Sequence, residues 1–352
     1  MSTNEEMYSL QMKTNISNNQ EESWQTVSAI HNSSTQNDSS TTSCSKKPQE
    51  YPHRIDLPIK FKNILSPNAT IKAHRRANFL FRHSSDKIDT NLLILLHGAG
   101  DTHTPYYNLS KEMNLPQCAM LSLSASCMDE GFTTLPFGLG YSWFDEMDYS
   151  TGMPLKRDDD RLISSLKGAV EKFDMLIDEL IQLWVPERIF LFGFSAGACL
   201  AMQTCWSRFE RGKMSLGGAI CVAGGVNQIC TKMFHEEGTE QQDVDDEEPI
   251  EKKTPVLIIG GSKDEKYTPN TLCESIKFYN SSHIIKDDQK TSTSAPAAKA
   301  YIGKNKGHEM INSEEETKAI MAFVAEHMIR RMVAMEGFCE ISSDQFMKQA
   351  DS

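Results

Sequence analysis

Six short apolar runs, most of them closed by glycine, constrain the fold of this chain more than any other feature. Asn91–Leu96 leads into His97-Gly98-Ala99-Gly100, Arg188–Phe192 into Gly193, Ala219–Ala223 into Gly224-Gly225, and Val256–Ile259 into Gly260-Gly261. Ala119–Leu123 and a weaker run at Lys299–Ile302 complete the set, and Phe79-Leu80-Phe81 is a further short candidate. Continuous apolar runs of this length bounded by glycine read as strands buried on both faces of a parallel sheet. Helical patterns lie between them. From Asp158 to Trp184 the apolar positions are 162, 163, 166, 169, 170, 173, 176, 177, 180 and 181, the spacing of one helix face. Asp158-Asp159-Asp160 complements the dipole at its start and Pro186 follows its end. A last helix opens at Ser313, with Glu316 completing a capping box, and turns Ile320, Phe323 and Val324 inward. Strand and helix alternate, which predicts an α/β fold with a mostly parallel central sheet flanked by helices.

Composition sets the limits of that domain. Only 11 of the first 50 residues are in the apolar set AVILMFWYC, so 1–50 reads as a disordered polar tail. The α/β domain is expected over 51–340, followed by a short tail over 341–352. Nine acidic residues between Glu236 and Glu251 mark a surface insertion near 235–253, and a second polar insertion lies near 281–298. The longest aliphatic run, Leu92-Leu93-Ile94-Leu95-Leu96, is far short of the roughly 18 residues a membrane span needs. Contact with a membrane is therefore expected to be transient and superficial. The net charge of −12 argues against nucleic acid as a partner, because phosphate affinity rests on Lys and Arg. Met1-Ser2-Thr3-Asn4-Glu5-Glu6-Met7 has neither the basic nor the apolar region of a secretory signal. Nine scattered cysteines without metal spacing read as reduced thiols, which places the chain in the cytoplasm, with the nucleus also open to it.

The chemistry concentrates at Gly193-Phe194-Ser195-Ala196-Gly197. The bare pattern arises by chance in about one chain in ten of this length. Its placement between a strand and a helical run is what gives it meaning, since a serine on such a turn presents its hydroxyl above the sheet edge. A serine hydroxyl needs a base, and the base needs an orienting carboxylate, in the order Ser, acid, His on this architecture. Asp264 follows the Val256–Ile259 strand directly, and His308 lies in a glycine-flanked loop before the last helix. His235 borders the acidic insertion, His327 sits within a helix, and His283 is the rival to His308. The oxyanion formed on acyl transfer needs two backbone donors. One is expected from the amide of Ala196 at the helix start, the other from the loop His97–Gly100. His97 itself is read as packed beneath the site. The apolar segment 131–139, just upstream of Trp143, either covers an acyl groove, with Trp143 as a substrate contact, or packs against the sheet.

His97-Gly98-Ala99-Gly100-Asp101-Thr102, Ser142-Trp143-Phe144-Asp145, Gly193 through Gly197, Gly260 through Asp264 to Pro269, and Gly307-His308 occur in an order that resembles the phospholipase/carboxylesterase family. That group of α/β-hydrolases includes the acyl-protein thioesterases. The resemblance runs from about Asn91 to Met332. It implies Ser195 as nucleophile, Asp264 as acid, His308 as base, and oxyanion donors from the amides of Ala99 and Ala196. It also implies a small-molecule acyl ester or S-acylated substrate, and no metal or organic cofactor. Ala196 stands where the thioesterases usually carry Gln, and Thr268 where Val usually precedes the proline. Both insertions lengthen the gaps between the three catalytic candidates. The expected activity is hydrolysis of esters or thioesters through an acyl-serine intermediate, as in a carboxylesterase, lysophospholipase or acyl-protein thioesterase. The reading from another class is a hydrolase-fold binding or scaffold protein with little turnover. A peptidase on the same fold ranks below both, since there is no large cap domain.

Overall fold

The computed structural model describes residues 54–58, 79–125, 140–231, 252–281 and 296–332. The 1–50 and 341–352 tails, the 131–139 segment, His235, His283 and most of both insertions lie outside the described residues. The apolar runs form the strands. They are β1 (Phe79–Arg82), β2 (Asn91–Leu96), β3 (Cys118–Leu123), β6 (Ile189–Phe194), β7 (Gly218–Val222), β8 (Val256–Gly261) and β9 (Ala298–Gly303). These build one sheet in the order β1-β3-β2-β6-β7-β8-β9. Every pairing in it is parallel except that of β1 with β3, which is antiparallel at the edge. A small hairpin of β4 (Met147–Asp148) and β5 (Met153–Pro154) stands apart.

Both faces of the sheet are covered, as an all-parallel core requires. Leu92, Ile94 and Leu96 of β2 pack with Leu166, Phe173, Leu200 and Leu272. These partners come from α2 (Asp160–Leu180), α3 (Ala196–Glu210) and α4 (Pro269–Ser281). The alternate residues Leu93 and Leu95 meet Tyr106, Ile320 and Phe323 on the other face, from α1 (His103–Met113) and α5 (Glu314–His327). The long helix α2 buries Leu162, Ile163, Leu166, Ala169, Val170, Phe173, Leu176, Ile177 and Leu180, and Asp159 caps it by accepting from the Arg161 amide. Where α2 meets α3, Arg208 is buried and donates to Asp174 and Asp178, with Lys213 bridging the same two carboxylates at 2.6 Å each. Among the described residues no helix is long and apolar enough to cross a membrane.

The topology decides where a site can form. From β2 the chain adds β3 on one side, and with β6 it begins to add strands on the other. Ligand sites of open parallel sheets sit at the carboxyl ends of the strands, at such a switch point. Here that is the junction of β2 and β6.

Candidate active site

Ser195 follows β6 and precedes the first residue of α3, with φ 50° and ψ −116°. An L-residue in that region is strained by about 1–3 kcal/mol, so the surroundings must impose it. Two glycines do so. A Cβ on Gly197 would lie 2.4 Å from the Leu96 carbonyl oxygen, and one on Gly193 would lie 2.4 Å from the carbonyl carbon of Gly197. Only glycine lets the turn close against the end of β2. The Ser195 amide donates to the Val222 carbonyl at 2.9 Å, which ties the turn to β7 as well.

Three side chains meet above this edge. His308 Nε2 lies 2.9 Å from Ser195 Oγ, and His308 Nδ1 lies 2.9 Å from Asp264 Oδ2. A carboxylate only accepts, so Nδ1 carries the proton and Nε2 is left to accept from the serine hydroxyl. Asp264 is buried. Its other oxygen, Oδ1, accepts from the amides of Lys266 at 2.9 Å and Tyr267 at 2.8 Å. The loops bearing Asp264 and His308 are cross-tied. Ser262 N–H donates to the Gly303 carbonyl at 2.9 Å, and Lys263 N–H to that of Lys306 at 2.8 Å. The imidazole packs between two rings, Phe194 at 5.3 Å and Tyr267 stacked at 5.9 Å. His327 lies away from this group, within α5.

The loop after β2 runs beside the serine. Its amides are mostly committed: Gly98 donates to the Tyr106 hydroxyl at 3.2 Å, Gly100 to the Tyr141 carbonyl at 3.0 Å, and Asp101 to the Gly98 carbonyl at 3.3 Å. Ala99 is the uncommitted amide of the loop among the described residues. Ala196 opens α3, where the first amides of a helix have no partner within it and carry the positive end of the dipole. His97 is fully buried. Its Nε2 accepts from the Ala125 amide at 3.0 Å, so Nδ1–H donates to the Gly98 carbonyl at 2.7 Å. Burial strips water from the imidazolium and lowers the His97 pKa from 6.5 to about 4.

The sequence reading places Trp143 at the substrate. The structure buries its ring completely, sets it 5.0 Å from the His97 ring at a tilt of 36° and has Nε1 donate to the His97 carbonyl at 2.7 Å. Trp143 thus packs against the loop that carries His97. Sequence reasoning also misses a charged pair at the mouth. Lys266 Nζ is 3.0 Å from Glu146 Oε1 and 3.4 Å from Ser195 Oγ. The available signal was proximity, since Lys266 lies two positions from Asp264 and Glu146 extends the Ser142–Asp145 motif. Among the described residues, no group of three or more His, Cys, Asp or Glu is placed to hold a metal ion. Chemically, the arrangement joins a serine hydroxyl to an imidazole and that imidazole to a buried carboxylate.

A family model described as phospholipase/carboxylesterase matches residues 80–297. An uncharacterized hydrolase of Mycosarcoma maydis is 29% identical over 162 residues, covering 44% of this chain and 57% of that protein. One from Schizosaccharomyces pombe is 29% identical over 160 residues, covering 43% and 59%. The matched region is thus less than two thirds of the length of either relative. The crystal structure of Zea mays acyl-protein thioesterase 2 matches with a TM-score of 0.52 at 15% identity, covering 71% of this chain and 99% of that one. At that identity the likeness is one of fold.

Proposed function

The chain belongs to the phospholipase/carboxylesterase family of hydrolases, and from that membership we propose that it cleaves acyl esters or thioesters through an acyl-serine intermediate. The observation that carries this reading is the paired 2.9 Å contacts of His308 with Ser195 Oγ and with Asp264. His308 Nε2 takes the hydroxyl proton as Oγ attacks the acyl carbonyl carbon. Asp264 holds the Nδ1–H tautomer and stabilises the imidazolium as it forms. The amides of Ala99 and Ala196 receive the oxyanion, and losing one such donor costs about 10²–10³ in rate. The tetrahedral intermediate collapses as His308 gives its proton to the departing alkoxide or thiolate. Water, deprotonated by His308, then attacks the acyl-serine; collapse releases the acid and returns the proton to Oγ. Ester and thioester pass through the same oxyanion, so both belong to the proposal. The substrate is read as a small acyl ester or an S-acylated molecule.

Labelling by a fluorophosphonate probe tests the nucleophile without knowledge of the substrate. Wild-type protein should label, Ser195→Ala should not, and His308→Ala and Asp264→Asn should label about 10²–10⁴-fold more slowly. Folded wild-type protein that stays unlabelled would overturn the mechanism and leave a hydrolase-fold binding protein in its place.

A further inference from the structure

Lys266 stands closer to the nucleophile than any catalytic assignment requires. Its ammonium lies 3.4 Å from Ser195 Oγ and 3.0 Å from Glu146 Oε1, and its side chain keeps 42% of its surface in solvent. Glu146 is nine-tenths buried. Its Oε1 has one further contact, the Tyr267 hydroxyl at 3.5 Å, and its Oε2 has no hydrogen-bond partner among the described residues. A buried carboxylate so sparsely compensated depends on its cation. Glu146 therefore fixes Lys266 in place, with the ammonium turned toward the serine and the solvent. A second cation borders the same ring: the Arg157 guanidinium lies 5.7 Å over Tyr267 and the Lys266 ammonium 5.8 Å from it. Tyr267 in turn stacks on His308. One cation thus stands beside the nucleophile and a second lies over the ring that stacks on His308, in a chain whose net charge is −12. Of the three charges, the carboxylate is the one set back in the protein.

We propose that Lys266, assisted by Arg157, selects acyl esters bearing an anionic group, a carboxylate or phosphate, next to the scissile carbonyl. An ammonium has three donors, so Lys266 can keep Glu146 while a free N–H meets a substrate anion. The selection rests on the hydrolase reading above and specifies the substrate class of that site. The anion sits on either the acyl or the leaving-group side, and two substrate pairs separate these. Mono-p-nitrophenyl glutarate against p-nitrophenyl pentanoate places the charge on the acyl side. A lysophosphatidate against the monoacylglycerol of the same chain places it on the leaving group.

The measurement is the ratio of kcat/KM for the anionic member to that of the neutral member, in which any general effect of a substitution cancels. In at least one pair, Lys266→Gln should lower this ratio about tenfold, the low end for a charge-assisted hydrogen bond. The loss should fall mainly on KM. Arg157→Gln should lower it in the same direction by about threefold, as an exposed charge does, and Lys266→Arg should keep most of it. Lys266→Gln strands the Glu146 carboxylate, so Lys266→Gln/Glu146→Gln provides a variant free of that burden, and its ratio should fall equally. Ratios unchanged in both pairs across all these variants, in protein that labels and turns over, would overturn the proposal. Protein that neither labels nor hydrolyses any of the four esters would overturn the hydrolase reading first, and this proposal with it.

Discussion

A fully buried imidazole stays neutral, because the interior replaces none of the water that a charge would lose. His97 is that case, with a pKa lowered to about 4 in the folded protein against 6.5 unfolded. Between those values the unfolded chain binds a proton that the folded one refuses, so stability rises with pH across the window. The contribution is complete above pH 6.5 and is lost as the pH falls toward 4, by up to about 3 kcal/mol. His97→Gln should be less stable at pH 7 and lose less on acidification. Urea unfolding of both proteins at pH 7 and 5 checks it. A variant that loses as much as wild type would assign the proton uptake to another group. The same residue should matter to turnover. Its Nδ1–H holds the Gly98 carbonyl, and the adjacent Ala99 amide is a proposed oxyanion donor, so the variant should also lose about tenfold or more in kcat, within what one misplaced donor costs.

At the scale of elements, α5 does more than cover the sheet. Ser313 caps it by accepting from the Glu316 amide. Glu316 accepts from the Asn312 amide at 2.9 Å through Oε2 and pairs with Lys306 at 2.6 Å through Oε1, both side chains being buried. Lys306 lies in the loop that carries His308, and its carbonyl receives the Lys263 amide from the Asp264 loop. Lys306→Met should therefore cost about 3–5 kcal/mol, because it leaves the Glu316 charge alone in the interior. Lys306→Met/Glu316→Gln should recover most of that loss in urea titrations; a double variant no more stable than the single would place the cost in packing. The central strands were legible because their buried runs are largely apolar, whereas their order in the sheet left no local signal. Nor were their ends legible. Gly193 and Gly261 read as punctuation, yet Gly193 pairs with Leu96 and Cys221, and Gly261 with Gly303. The helices α1 and α4 left little signal: of α1 only Tyr106 and Ser110 are buried, too few for a face. Ser195, Asp264 and His308 each follow a strand end, so order alone singles them out, and the structure brings the three side chains together. The meeting of Glu146 with Lys266, and the burial of Trp143, depend on tertiary packing that no local pattern encodes.

At the scale of the whole molecule, the cysteines report whether the two faces of the sheet open together. Cys118 lies on β3, Cys221 on β7, Cys199 and Cys205 on α3, and Cys230 beyond β7, all as buried free thiols; Cys273 on α4 is exposed. Burial pushes the Cys205 and Cys230 thiols up to about 12 and raises those of Cys118, Cys199 and Cys221. At pH 8 a thiol with a pKa near 12 is thiolate in about one molecule in ten thousand, and the thiolate is the reactive form. Alkylation of the five must therefore await exposure, whereas Cys273 should react at once. Cys118 belongs to the core on one face of the sheet, with Tyr106 and Phe323, while Cys199, Cys205, Cys221 and Cys230 belong to the other. One continuous sheet separates and supports both cores, so neither should survive the loss of the other. Modification mapped by peptide mass should then give the five buried thiols a single protection free energy with one common dependence on urea, the signature of one cooperative unit. Cys118 reacting ahead of Cys205 and Cys221 would show that the α1 and α5 face opens separately. That face carries the end of the His308 loop, so such opening would release His308 from Ser195 before the rest of the domain unfolds.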